Sequence, residues 1–247
     1  MILSDLHVHT IFSDGKNTPE EMVRAAISKG MTKIGFSDHS YTSYDESYCM
    51  SREGTAVYRK VIAGLKEKYR DQIEILCGIE QDFYSDSTAE GYDYVIGSVH
   101  AVRVERGYFS VDESPEVLEA AVKRYFGGDW YALAESYYQT VAQVVERTRA
   151  DIIGHFDLVT KFNEGGKLFD ENHPRYVVAW QEAADRLLKT GKPFEINTGA
   201  MSRGYRTAPY PSGRIINYIR KHGGKLILSS DAHSAENLCF AFDTISE

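Results

Sequence analysis

Histidines and carboxylates recur along this chain at spacings that suit cation binding. His7 and His9 stand two residues apart, which on an extended strand turns both rings to one side. Two imidazoles held side by side are most simply explained by a shared metal ion. Asp231 and His233 repeat the spacing near the other end, and Asp38, His39, Glu80, His100 and His155 fall between. Only His173 and His222, of eight histidines, stand apart from this set. So many N and O donors exceed the roughly four that one zinc takes, and hydrolytic sites often hold two ions about 3.5–4 Å apart bridged by a carboxylate or hydroxide. Glu80, central in the set, is the natural bridge. Asp14, in the turn at 11–15 (IFSDG), is either a ligand to a further ion or a plain Asp-Gly turn. With no thiolate in the set, Zn, Mn or Fe suits it better than a soft metal. A water held between such ions loses its proton near neutral pH and can attack phosphorus.

These residues need elements that bring them together. Apolar runs at 2–8, 32–37, 73–79, 93–99, 151–156, 193–197 and 225–230 predict seven strands. Helices are predicted between them, near 53–70, 115–126, 130–149, 174–190 and 212–222, and one beginning at Thr18-Pro19-Glu20-Glu21, which reads as a capping box ended by Gly30. Ser114 and Asp129 are predicted caps, and the alternating segment 101–112 predicts a hairpin. Strands rich in Ile, Leu and Val and separated by helices indicate a parallel α/β sheet in one unit spanning 1–247, closed or nearly closed into a barrel. An open doubly wound sheet is the second choice. Six of the seven predicted strands end in a residue type that binds metals, and the C-terminal ends of barrel strands are where catalytic residues gather.

The strings HVHTIFSDG (7–15), SDH (37–39), GIE (78–80), GSVH (97–100), GHFD (154–157) and SSDAH (229–233) resemble the PHP (polymerase and histidinol phosphatase) family in order and spacing. The resemblance implies a distorted (β/α)7 barrel with a trinuclear metal site. It implies His7, His9, Glu80 and Asp231 on one ion, Glu80, His100 and His155 on a second, and Asp14, His39 and His233 on a third. Some relatives carry a histidine at the position of Asp14, so this third site is the more acidic. Asp38 is expected to orient a ligand histidine through its other ring nitrogen. Within the family, the length and the segments between motifs imply hydrolysis of L-histidinol phosphate, with Glu80, Asp231 and His233 in the catalytic group and the last two as candidate proton donors. The alternative within the family is a phosphoesterase acting on nucleotides or single-stranded DNA ends.

A phosphate monoester needs cations beyond the metals, and Lys161 and Arg203 are the candidates. The amine and imidazole of histidinol need acidic or amide partners, for which Asp157, Glu195 and Asn197 are the expectation. The 17 tyrosines cluster at 41–48 and at Tyr205 and Tyr210, where they suit either an aromatic lid over an imidazole or a plain packing surface; packing is the expectation for most of the 17.

A formal charge of −8 and the lack of any Lys/Arg-rich run argue against nucleic acid as a partner. An amidohydrolase-type barrel also opens with H-x-H, but it commonly bridges its metals with a modified lysine, whereas Glu80 stands here. A serine elbow of the G-x-S-x-G type is absent, so a covalent route lacks its usual mark. Three cysteines at unrelated spacings argue against a disulfide framework, and no run approaches the roughly 18 apolar residues of a membrane span. With no signal peptide visible, a reducing, cytoplasmic location is expected.

Overall fold

The computed structural model describes residues 3–105 and 107–245; Ile2, at the start of the expected first strand, and Arg106, in the expected hairpin, lie outside them. Seven parallel strands run in the order β1 (Ser4–Asp5), β2 (Lys33–Phe36), β3 (Glu74–Asp82), β4 (Tyr94–Ser98), β7 (Ile152–Ile153), β8 (Phe194–Asn197) and β9 (Leu226–Ser229). Between β4 and β7 the antiparallel hairpin β5 (Ala101–Val104) and β6 (Gly107–Ser110) stands apart from the main sheet.

The sheet closes into a barrel only beyond its strand ends. Val8 bridges Ala232 in parallel, with the His9 N–H donating to the Ala232 carbonyl at 2.9 Å and the Ala232 N–H to the His7 carbonyl at 3.1 Å. Closer to the start of β1 a side chain joins the edges instead. The buried Asp5 carboxylate accepts from the Ser230 N–H at 3.1 Å, from the Ser230 hydroxyl, and from the Cys239 N–H at 3.0 Å. Burial pushes its pKa up while these donors oppose the rise.

Inside the barrel the alternation of β3 and β4 fixes two levels. Tyr94, Ile96 and Ile152 pack with Leu6, Leu76 and Ile227 as an apolar plug. The Tyr94 ring crosses the barrel to donate its hydroxyl to the Leu6 carbonyl at 2.6 Å, and a Cβ on Gly78 would sit 2.3 Å from that ring. Two residues on from Gly78, facing the same way, is Glu80. The plug therefore forms the floor on which the polar residues rest.

Helices cover the outside: α1 (Pro19–Ser28), α2 (Arg52–Tyr69), α3 (Pro115–Tyr125), α4 (Trp130–Val141), α5 (Val144–Thr148), α6 (Pro174–Leu188), α7 (Gly199–Ser202) and α8 (Gly213–Lys221). The predicted capping box is present, with the Thr18 hydroxyl accepting from the Glu21 N–H and Glu21 accepting from the Thr18 N–H at 2.8 Å. Ser114 and Asp129 cap α3 and α4. The single helix expected over 130–149 is two, because the chain turns at Ala142–Gln143. The outer layers bury Trp180, Tyr137, Tyr138, Tyr176 and Phe194 on one side, and Phe36, Met22, Tyr58 and Ile34 on the other. Each fully buried Leu, Ile or Phe contributes about 1.5–3 kcal/mol relative to an exposed one.

Candidate metal centre

Glu80 lies near the end of β3 with five imidazoles around its carboxylate. Its Oε1 is 2.8 Å from His155 Nε2 and 3.3 Å from His100 Nε2. Its Oε2 is 2.9 Å from His39 Nδ1, 3.2 Å from His7 Nε2 and 3.4 Å from His9 Nε2. Asp231 joins from the end of β9, its Oδ1 3.2 Å from His9 Nε2. Asp14 and His233 complete the rim, with Asp14 Oδ2 3.2 Å from His233 Nε2. The backbone gives Asp231 its aim: its φ is +49°, a conformation Asp tolerates better than most side chains, and a Cβ on Gly199 would lie 2.7 Å from its carboxylate.

Three groupings of these residues bring ligand atoms within reach of a common ion: His9, Asp14, His39 and His233; His7, His9 and Glu80; and His39, Glu80 and His100. His9 and His39 each belong to two of them. The donor set suits a divalent cation on a further ground, which is that buried polar atoms here lack hydrogen-bond partners. They are His7 Nε2, both ring nitrogens of His9, Glu80 Oε2 and His155 Nδ1. Buried polar atoms are rarely left so, and a cation is the ligand that imidazole and carboxylate share.

The charges are strongly coupled. Burial opposes ionisation of Glu80, but His39, His7 and His100 hold it well below the usual carboxylate range. Burial likewise opposes charge on His7, yet Glu195, Glu80 and Asp231 hold its pKa well above the usual imidazole value. Burial, with His233 and His39 beside it, brings His9 down to about 3, so its ring stays neutral and keeps a lone pair. Two buried carboxylates fix ring orientation from behind: Glu195 Oε1 is 2.7 Å from His7 Nδ1, and Asp82 Oδ2 is 3.2 Å from His100 Nδ1.

Above the ligands opens a cavity of about 660 Å³. Its floor includes Asp14, His39, Glu80, His100, His155, Asp231 and His233. Lys161 and Arg203 line it. The Lys161 ammonium donates to the Asp112 carbonyl at 2.7 Å, and Arg203 places Nη2 3.3 Å from Asp231 Oδ2 and Nη1 2.8 Å from His233 Nδ1. Its lining also carries Asp45, Asp112 and Glu113 with the rings of Tyr44, Tyr48, Tyr108 and Tyr205.

The profile of the PHP domain matches residues 5–199. The chain belongs to that family. A relative from Deinococcus radiodurans named "Probable histidinol-phosphatase" is 29% identical over 99% of this chain and 92% of its own. A solved chain from Listeria monocytogenes superposes with a TM-score of 0.84 at 20% identity, covering 98% of this chain and 100% of its own. A histidinol phosphate phosphatase from Lactococcus lactis, solved with zinc, L-histidinol and phosphate, gives 0.64 at 22% identity over 95% and 87%. The nearly closed seven-stranded barrel is the PHP fold that the motifs implied.

Several expected positions in this PHP chain differ from the sequence reading. Asp157 does not reach the cavity: it is buried, accepts from the Ser212 N–H at 2.9 Å, and is pushed by burial up to about 6. Regular pairing in β7 stops at Ile153, and residues 158–160 form a 3₁₀ turn, so His155 and Asp157 do not share a strand face. Asn197 is also buried outside the cavity lining, donating to Glu195 and Asp231 at 3.3 and 3.4 Å, and Glu195 lies beneath the ligands. Asp38 does not hold a histidine; it accepts from Thr10 and Ser13 and so fixes the turn that carries Asp14. Of the clustered tyrosines, Tyr44, Tyr48 and Tyr205 line the cavity, whereas Tyr210 is buried. Sequence reasoning missed Asp82 and the cavity acids Asp45, Asp112 and Glu113. For Asp82 a signal existed, since it follows Glu80 by two on one strand and so faces the same way.

Proposed function

We propose that this PHP protein is a metal-dependent phosphomonoesterase that hydrolyses L-histidinol phosphate to L-histidinol and phosphate. The observation that carries this is one cavity lined by two unlike sets of groups. His39, Glu80, His100, His155, Asp231 and His233 line it together with Asp45, Asp112, Glu113 and several tyrosines. The names of the curated relatives support the same reading.

Nine residues would hold the metals: His7, His9, Asp14, His39, Glu80, His100, His155, Asp231 and His233. The number of ions, two or three, and their identity among Zn, Mn and Fe belong to this proposal. Divalent ions bound there supply an activated water and neutralise phosphoryl charge. Ligands must give up their protons to such ions, so the protonated His7 would lose one on loading. Lys161 and Arg203 stand at the cavity wall, where two fixed cations orient the phosphoryl oxygens. Asp231 and His233 are the candidates to pass a proton to the departing alkoxide only where they are not fully committed to metal. The carboxylates of Asp45, Asp112 and Glu113 and the aromatic rings suit an amine and an imidazole, and they repel a polyanionic strand. A small phosphate ester, handled in the cytoplasm, fits better than single-stranded DNA.

The test is steady-state hydrolysis of L-histidinol phosphate against AMP, p-nitrophenyl phosphate and a short single-stranded DNA, on metal-stripped protein reconstituted with Mn or Zn. The expected preference for histidinol phosphate is at least about a hundredfold in kcat/KM, or roughly 2.7 kcal/mol. Weak and equal turnover of all esters would overturn the named substrate.

A further inference from the structure

Of the seven barrel strands, β8 is the one whose end supplies no proposed metal ligand. Its two inward residues are nevertheless tied to ligands on both neighbouring strands and across the closure. Glu195, 1% exposed, spans two of them: Oε1 lies 2.7 Å from His7 Nδ1, and Oε2 accepts from the His155 N–H at 3.0 Å. Asn197 donates from Nδ2 to Glu195 Oε2 at 3.3 Å and to Asp231 Oδ2 at 3.4 Å. Its own Oδ1 accepts from the Gly199 N–H at 2.9 Å, which fixes the amide's orientation, because the reverse would face its oxygen to two carboxylates.

We infer that Glu195 is a positioning residue for the metal centre, acting through His7 and His155. Glu195 Oε2 already accepts from the His155 N–H and the Asn197 amide, and Oε1 is placed to accept from His7 Nδ1, so once Nε2 has given up its own proton its lone pair would be turned toward an ion beside Glu80. The second oxygen sets the backbone of His155. The inference rests on the ligand set proposed above, but its own content differs: the acid sets the affinity of ligands it never joins. Glutamine is the informative replacement. Its oxygen can still accept from His7, but its amide group then meets the His155 N–H and the Asn197 amide, three donors with no acceptor between them.

The experiment compares wild type with Glu195→Gln, Glu195→Asp and His7→Ala. Zinc affinity and stoichiometry are read by competition with a chromophoric chelator, and Tm is read with and without zinc. Glu195→Gln should weaken the tightest zinc about 10- to 100-fold, as removal of such an acid behind a histidine ligand does. It should also shrink the zinc-induced rise in Tm, with Glu195→Asp intermediate, while His7→Ala loses the ion outright. Wild-type affinity in Glu195→Gln beside loss of the ion in His7→Ala overturns the positioning role and leaves the ligand set standing. If His7→Ala keeps full zinc affinity, the ligand set itself fails. A Tm lowered equally with and without zinc marks Glu195 as merely structural and overturns the inference. Should Glu195→Gln not fold, Asn197→Ala reads the same link from its other end, where unchanged zinc binding counts against it.

Discussion

Glu113 lines the cavity, and among the described residues no cation pairs with it. Its neighbour Asp112 is already engaged by Lys161, whose ammonium lies 3.4 Å from the carboxylate, and Asp45 accepts from the Ser47 N–H at 2.9 Å. Glu113 thus keeps both its carboxylate oxygens and its charge available for a ligand. A half-exposed ion pair contributes about 0.2–1 kcal/mol. Glu113→Gln should raise KM for L-histidinol phosphate about three- to fivefold and leave kcat close to wild type, with p-nitrophenyl phosphate changing less than twofold. An equal rise for both esters would mean that Glu113 shapes the cavity rather than recognising the amine. Asp112 was not legible in the sequence, because 101–112 showed only an alternating pattern and a glycine, with no sign of the face it turns to the cavity. The proposed metal residues stood out because H-x-H and D-x-H carry their geometry in a spacing of two.

Local elements set where those spacings succeed and fail. On β3, pairing runs unbroken through Asp82, so Gly78, Glu80 and Asp82 keep one face and alternation is a reliable guide. On β7 pairing ends at Ile153, and the same rule applied to His155 and Asp157 misplaces the second residue. On β8 alternation correctly puts Glu195 and Asn197 inside, but alternation reports a face and not a depth, so residues beneath the ligands were taken for substrate contacts. The turn bearing Asp14 shows the converse, a loop whose order comes from elsewhere in the chain. Asp38 accepts from the Thr10 N–H at 2.8 Å, the Ser13 N–H at 3.1 Å and the Ser13 hydroxyl at 2.7 Å. Asp38→Ala leaves these donors buried or half-buried without their acceptor, at a cost of about 3 kcal/mol. In a chain of this size that is a fall of roughly 6–12 °C in the Tm of metal-free protein. The substitution Asp38→Asn, which keeps an acceptor oxygen, should recover part of it. A Tm unchanged in Asp38→Ala would show that the turn is held by its own backbone bonds.

In the barrel as a unit, closure and chemistry coincide. The edges β1 and β9 meet through Val8 and Ala232, between His7 and His9 on one side and Asp231 and His233 on the other. Six of the seven strands deliver a proposed ligand at that end, so one cluster of cations would tie together a ring that, among the described residues, backbone hydrogen bonds close at one bridge. Without them, His7, His9 and Glu80 leave buried ring nitrogens and a carboxylate oxygen unpartnered. Each unsatisfied buried group costs about 1–3 kcal/mol. The formal charge of −8 adds a general repulsion that bound dications would reduce. Metal removal should therefore destabilise the whole barrel and not only abolish turnover. For one site, free metal at a hundred times its Kd adds about 2.7 kcal/mol. Reloading chelator-stripped protein with Zn or Mn should raise Tm by roughly 5–11 °C per filled site. Calorimetry across a metal titration reads this directly. A Tm indifferent to chelator would mean that the His7–Asp231 seam holds without ions, and the ligands would then serve chemistry alone.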